Sequence, residues 1–281
     1  MEIIKVIILA IVEGITEFLP VSSTGHLILF HEFFKLEPKS FQNIFDVCIQ
    51  LGPILAVVVL YFHKLYPFSK VDEFGRPARK DKVKYTLELW LKVIVGVIPS
   101  AVLGFLFDDM IDAHLFNPTT VSVTLVIWGI LIILIENQNK KKRTNKAPIT
   151  IEEMSLATAF KIGLFQCFAL IPGTSRSAAT ILGGLMLGTS RASAAEFSFY
   201  LAIPTMFGAT LLKVLKNSGV FTLYQWFLVF LGGLIGFIVA IIVIKKFMAY
   251  IKKRDFKVFG VYRIILGILV LLYSMIFGFE V

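Results

Sequence analysis

The chain has 281 residues, of which 57% are hydrophobic and only 17% charged, with 27 phenylalanines and a formal net charge of +9. A mean hydropathy of +0.82 excludes a soluble globular domain and a disordered polymer, and places the protein in a membrane. The surplus Lys and Arg residues collect between apolar stretches rather than along one amphipathic face, which argues against nucleic acid as a partner. Cys48 and Cys167 each lie in apolar sequence with no CxxC spacing, so they are expected to be packing residues rather than a disulfide or a thiolate metal site.

A helix rising about 1.5 Å per residue needs roughly 20 apolar residues to cross a hydrocarbon core of about 30 Å. Residues 2–36 open the chain as an apolar stretch broken by Pro20-Val21-Ser22-Ser23-Thr24-Gly25, the pattern of a helix, a turn and a returning half-helix. Glu13 and Glu17 interrupt it, so no cleavable signal is expected there. Three full spans follow, at about 44–62, 87–107 and 119–136. Residues 156–189 repeat the broken pattern around Pro172-Gly173-Thr174-Ser175, and three more spans follow at about 194–212, 225–244 and 258–277. Trp90, Trp128 and Trp226 are interfacial anchors. Gly184, Gly188, Gly232 and Gly236 have the small-xxx-small spacing of helix packing. The predicted fold is all-α: a polytopic membrane helical bundle of six full transmembrane spans plus two re-entrant helix-loop-helix hairpins. Irregular backbone at membrane depth is tolerated only where protein or a water-filled cavity satisfies it, so each hairpin is expected to line a site.

Charge orients the spans. Lys64, Lys70, Arg76, Arg79, Lys80, Lys82 and Lys84 mark residues 63–86 as cytoplasmic, while Asp108, Asp109 and Asp112 mark 108–118 as external. Lys140 to Arg143 with Lys146, and Lys245 to Arg254, are then cytoplasmic as well. Counting backwards puts residues 37–43 outside, so the first hairpin enters from the exterior and the second from the cytoplasm. Phe18-Leu19-Pro20-Val21-Ser22-Ser23 parallels Leu170-Ile171-Pro172-Gly173-Thr174-Ser175, and three spans follow each. The chain therefore reads as a single membrane domain, 1–281, an inverted-topology repeat with halves 1–136 and 156–277 and a cytoplasmic linker at 137–155. Such repeats set a binding site near the midplane where broken helices meet.

Charged groups at that depth cost on the order of 2.5–3.5 kcal/mol each on insertion scales, and they persist where a cavity, a partner or a ligand needs them. Glu13 and Glu17, four apart, share one helix face and repel unless a cation lies between them. Mg²⁺ or Ca²⁺, hard cations that bridge carboxylates to phosphates, suit the pair; a salt bridge to Arg176 is the plainer reading. Gly173 permits close backbone approach, Thr174, Ser175, Ser177 and Thr180 carry hydroxyls, and Arg176 offers a fixed fork for phosphate oxygens. A half-helix starting near Ser175 adds free N–H groups, although Ser and Thr in membrane helices commonly bond back to their own main chain. His26, three residues after Ser23, is a candidate acid or base. Gln50 and Glu196, near the starts of spans, are further candidates for the lining.

At these residues the chain resembles a known family, the bacterial undecaprenyl-diphosphate phosphatases of the bacitracin-resistance type. The family's ExxxE signature and PVSSTGH stretch correspond to Glu13-Gly14-Ile15-Thr16-Glu17 and Pro20 to His26, and its PGxSRSxxT signature to Pro172 through Thr180. The resemblance covers essentially the whole chain without departure from either motif. It implies an integral membrane hydrolase of the bacterial plasma membrane that converts undecaprenyl diphosphate to undecaprenyl phosphate and inorganic phosphate. That reaction recycles the lipid carrier of peptidoglycan synthesis in cell-wall biogenesis. It also implies a divalent cation, a site reached from the exterior, and a homodimer. Combined with the chemistry above, Glu13 and Glu17 are the expected cation ligands, and Gly173, Thr174, Ser175, Arg176, Ser177 and Thr180 the substrate-binding residues. Glu17, Ser23, His26, Ser175 and Arg176 are the catalytic set. Ser23 is the first choice of nucleophile, with Glu17 or His26 as base; Ser175 and a cation-bound water compete. A lipid-phosphate flippase or transporter on the same repeat is the rival function.

Overall fold

The computed structural model describes residues 1–71, 75, 77, 80–141, 147–216 and 221–278. Arg76, Arg79, Lys142, Arg143 and Lys146 lie outside the described residues, as do the side chains of Asp108, Asp109 and Asp112. The described residues are helical: α1 (Glu2–Thr16), α2 (Ser23–His31), α3 (Lys39–Ile49), α4 (Leu51–Leu60), α5 (Phe62–Leu65), α6 (Lys82–Leu115), α7 (Pro118–Lys141), α8 (Leu156–Cys167), α9 (Arg176–Met186), α10 (Arg191–Lys216), α11 (Leu223–Ile251) and α12 (Lys257–Phe277). Two isolated β-bridges, Val71 to Pro77 and Ile149 to Thr189, are the only extended pairings among them.

Six helical segments are long and apolar enough to cross a membrane: Lys39–Leu60, Lys82–Phe107, Pro118–Lys140, Arg191–Lys216, Leu223–Ile251 and Lys257–Phe277. They match the six predicted spans: the first is shifted towards the N-terminus, beginning at Lys39 and ending at Leu60, and the others begin one to five residues before the apolar stretch. Their outer faces stay apolar. On α11, Phe230, Leu234, Ile238 and Ile242 form an exposed stripe at four-residue spacing, a surface that in water would be a liability and in lipid is the solvated face. Taken with the sequence, this is a multi-pass membrane protein.

Inside the bundle small residues let backbones meet. A Cβ on Gly14 would lie 2.8 Å from the carbonyl oxygen of Gly236, joining α1 to α11. Gly129 and Gly260 face each other between α7 and α12, where a Cβ on either would come within 2.7 Å of the other's carbonyl. Neither contact survives a side chain, as expected for packing that gains nothing from a hydrophobic drive and depends on close van der Waals approach.

The two apolar regions outside these spans are broken where Pro and Ser predicted. Helix α1 stops at Thr16, the chain turns through Glu17 to Ser22, and α2 begins; α8 passes through a short 3₁₀ turn at Phe168–Leu170, then Ile171 to Ser175, before α9 begins. Ser22 and Ser175 cap the new helices, each accepting from the N–H three residues on, at 3.3 Å from Gly25 and Ala178 respectively. Both serines hold a positive φ, 73° and 70°, a backbone setting that costs a non-glycine residue about 1–3 kcal/mol and clusters at functional sites. The conformational partner of Ser175 is thus Ser22 rather than Ser23, one residue away from the sequence parallel. Gly173, at φ 87°, supplies an extra reversal, and the second cap follows its proline by three positions where the first follows by two.

Candidate active site

Both turns deliver the first residue of a half-helix to one carboxylate. Glu17 accepts a hydrogen bond from Ser23 Oγ on Oε2 at 2.8 Å and from Arg176 on Oε1 at 3.1 Å. Residues 159 positions apart therefore meet through a carboxylate that is 7% exposed. The Arg176 guanidinium is spread over several partners. It donates to the Ser198 carbonyl at 2.8 Å and more weakly to Ser198 Oγ at 3.3 Å, and it stacks 5.4 Å above the Phe18 ring. Its Nε is buried without a hydrogen-bond partner among the described residues.

These groups line a cavity of about 190 Å³ together with Ser22, Thr24, Gly173 and Ser175 on the turn side. Gln50, Ser100 and Thr205 close it from the spans and Gln166 from α8. Helices α2 and α9 both begin at this cavity, so two sets of free N–H groups and two positive dipole ends face it, the usual requirement for binding a phosphate. A wider cavity of about 500 Å³ shares Thr24 and Gln50 with it and reaches Lys39, Lys213 and the His31–Asp46 pair, whose Nε2 and Oδ2 are 2.7 Å apart.

Glu13 lies behind the cavity. It is fully buried and neither carboxylate oxygen has a hydrogen-bond partner among the described residues. Glu17 and Asp46 are its electrostatic neighbours. An unsatisfied buried carboxylate is costly, and a hard divalent cation is the chemistry that would satisfy it. No group of three or more His, Cys, Asp or Glu side chains with metal-ligand spacing occurs among the described residues. Glu13 and Glu17 have the donor chemistry for part of a cation's shell, and the remaining oxygens would have to come from a phosphorylated ligand or water.

The other expected residues divide by geometry. Ser175 lines the cavity and lies 3.0 Å from Ser177 Oγ, while Ser177 donates to the Leu19 carbonyl at 2.9 Å and so ties the second turn to the first. Thr180 donates back to the Arg176 carbonyl and sits 2.7 Å from Ser198 Oγ, supporting the arginine's anchor from outside the cavity. Thr174 is buried and its hydroxyl has no partner among the described residues. His26 faces elsewhere: Nδ1 lies 2.7 Å from the Ser22 carbonyl and Nε2 lies 2.6 Å from the Tyr262 hydroxyl. It is not among the residues lining the cavity. Gln50 lines the cavity as expected, whereas Glu196 does not; it pairs with Lys64 at 2.8 Å and accepts from Tyr200.

Residues 6–269 match the family described as bacitracin resistance protein BacA. The chain belongs to that family. It is 53% identical to an undecaprenyl-diphosphatase 1 of Clostridioides difficile, over 97% of this chain and 96% of the relative. It is 51% identical to an undecaprenyl-diphosphatase of Enterococcus faecalis, over 98% of both. A third, the undecaprenyl-diphosphatase of Desulfitobacterium hafniense, is 54% identical over 97% of this chain and 96% of its own length.

The structure adds one residue to the site of this family member that sequence reasoning passed over. Arg263, inside the last apolar span, is fully buried. It donates to the carbonyls of Gly173 at 2.8 Å and Thr174 at 2.9 Å, and reaches that of Pro20 at 3.4 Å. The signal was present: a lone arginine in the middle of residues 258–277 carries the same insertion penalty that singled out Arg176.

Proposed function

We propose that this protein hydrolyses undecaprenyl diphosphate to undecaprenyl phosphate and inorganic phosphate. The observation that carries this is Glu17 held between Ser23 and Arg176 where two helix N-termini meet, a nucleophile, a base and an anion-neutralising group at one cavity. Ser23 Oγ attacks the terminal phosphorus and its proton passes to Glu17. The bond from that phosphorus to the bridging oxygen breaks, and the lipid monophosphate leaves with the oxygen. Water then cleaves the phosphoserine to release inorganic phosphate. A carboxylate base suffices because the loose transition state of phosphoryl transfer demands charge stabilisation more than deprotonation. Arg176 and the free N–H groups of α2 and α9 supply that stabilisation to the equatorial oxygens. A divalent cation held by Glu13 and Glu17 would add neutralising charge on the diphosphate. His26, bonded to the Ser22 carbonyl, orients the turn rather than serving Ser23.

The first and second hairpins enter from opposite faces, and the halves 1–136 and 156–277 form an inverted repeat. Support comes from packing that is unchanged when the halves are exchanged. Helix α1 packs on α11 as α8 packs on α6, α4 packs on α11 as α10 packs on α6, and α7 and α12 pack on each other. The glycine contacts obey the same exchange: Gly14 meets Gly236, Gly163 meets Gly96, and Gly129 meets Gly260. By the positive-inside rule the wider cavity, lined from α2 and α3, opens to the exterior. The headgroup enters and phosphate leaves on that side, while the polyprenyl tail stays in lipid.

The purified protein in detergent with Mg²⁺ or Ca²⁺ should release phosphate from undecaprenyl diphosphate, lose that activity to a chelator and regain it with cation. Ser23→Ala should lower kcat at least ~10³-fold, and Ser175→Ala only ~10-fold, on the scale of removing a nucleophile as against one binding donor. Absence of phosphate release by the wild type would favour a flippase built on the same repeat. A Ser175→Ala loss as deep as that of Ser23→Ala would move the nucleophile to the second turn.

A further inference from the structure

Arg263 makes contacts that packing alone does not call for. It is a fully buried cation that pairs with no carboxylate among the described residues, and every hydrogen bond it makes goes to a main-chain carbonyl of the two turns: Pro20 in the first, Gly173 and Thr174 in the second. A buried guanidinium left without an anion is expensive, so its retention needs a purpose beyond filling space. The carbonyls it holds sit just before the strained caps, two residues before Ser22 and immediately before Ser175.

Peptide geometry gives that purpose. The C=O and N–H of a trans peptide point in opposite directions. Drawing the Thr174 carbonyl onto Arg263 therefore sends the Ser175 N–H the other way, toward the cavity that Ser175 lines. The guanidinium is planar with a fixed fork of donors, so one side chain can span two turns and fix their separation, which a single ammonium cannot do. The rest of the turn scaffold works on the turns separately or through flexible hydroxyls: Thr124 holds only Pro172 at 2.7 Å, and His26 only Ser22. Among the contacts described, Ser177 to Leu19, Arg176 to Glu17 and Arg263 join the two turn regions; the Arg176 link runs between side chains, and only Arg263 holds main-chain carbonyls of both turns with one guanidinium.

We propose that Arg263 is a positioning residue for phosphoryl transfer: it holds both turns so that the N-termini of α2 and α9, with Ser23 and Arg176 at their first positions, face the same phosphate. It touches neither substrate nor Glu17 and acts only through the backbone it holds. Its fixed positive charge also makes the cavity wall more favourable to an anion. The role presupposes the phosphatase chemistry proposed above.

The test separates positioning from mere stability. Arg263→Lys keeps the charge but not the span. It should lower kcat about 10²-fold per folded molecule, the cost of a misplacement of order 1 Å, with KM within about threefold of wild type. Folded protein is counted by size-exclusion chromatography and helical circular dichroism. Arg263→Ala, assayed with added guanidinium, should recover kcat saturably, and methylammonium should not replace guanidinium. Wild-type kcat in Arg263→Lys, a loss of KM alone, or a loss that follows the unfolded fraction and resists guanidinium would each overturn the proposal. If the wild type itself releases no phosphate, the phosphatase reading fails instead, and the two failures are distinct.

Discussion

Two Glu–Arg pairs, each built on a buried carboxylate, differ in how completely they are satisfied. Glu136, 1% exposed, takes two parallel hydrogen bonds from Arg191 at 2.9 and 2.6 Å and a third from the Phe256 N–H at 3.1 Å. That carboxylate is saturated, joins α7, α10 and the turn before α12, and lines no part of the site cavity. Glu17 and Arg176 make one bond of 3.1 Å, share their other donors and acceptors among Ser23, Ser198 and Met206, and leave Arg176 Nε and both Glu13 oxygens unmatched. A pair closed on itself holds structure, whereas a pair with spare capacity beside a cavity leaves donors and acceptors that a ligand could use, as the proposed function requires.

The largest test of this contrast is at the open pair. Arg176→Lys keeps a cation near Glu17 but loses the fork, and should cut kcat about 10²–10³-fold, the range for removing one transition-state donor. Thermal stability should fall less than in Glu136→Gln, because lysine keeps a cation beside the buried Glu17 carboxylate. A loss of folding in place of kcat would make Arg176 a structural residue like Arg191. Glu136→Gln is the converse. It leaves Arg191 facing a neutral amide in a largely buried place. Breaking a buried pair costs about 3–5 kcal/mol, and the 35% exposure of the Arg191 side chain puts this case toward the lower end. Denaturant or thermal unfolding in detergent should show that loss, with kcat per folded molecule unchanged. A drop in kcat would mean that the closed pair communicates with the site.

The contrast also shows what the sequence made legible. The six spans and the two breaks were readable because lipid permits so few alternatives: twenty apolar residues must be a helix, and Pro with Ser and Gly inside such a stretch must be a turn. The two motifs were readable because Glu13, Glu17 and Arg176 are out of place in hydrocarbon. Partnership within the site was not. Ser23, His26 and Glu17 lie within ten positions, yet Ser23 chose Glu17 and His26 chose Tyr262 on the last helix, a contact fixed by tertiary packing that no local spacing encodes. The cap register slipped by one residue because Gly173 adopts a positive φ, which a match by residue type does not show. Arg263 is legible only as a single charge out of place in its span: it stands outside both polar clusters, and its partners are set by tertiary packing.

The smallest effect sharpens the structural side of the contrast. Asp255, one residue from the N–H that caps Glu136, is bonded to the exposed Lys140 at 2.8 Å. Partial burial pushes its carboxyl up. The Lys140 hydrogen bond, the Lys257 N–H and the charges of both lysines outweigh that and hold it below the usual aspartate value. A carboxyl with a lowered folded pKa contributes stability that is present above its unfolded value, about 4, and is lost as pH falls through the folded one. Asp255→Asn should therefore destabilise by under about 1 kcal/mol at neutral pH, as a solvent-screened pair does, with a smaller difference at high salt. Wild type and variant should converge once the pH has fallen through the lowered folded-state pKa. If the neutral-pH loss instead equalled that of Glu136→Gln, the rigidity of this end of the bundle would belong to the exposed lysine contact, and the saturated buried carboxylate would have no special claim to it.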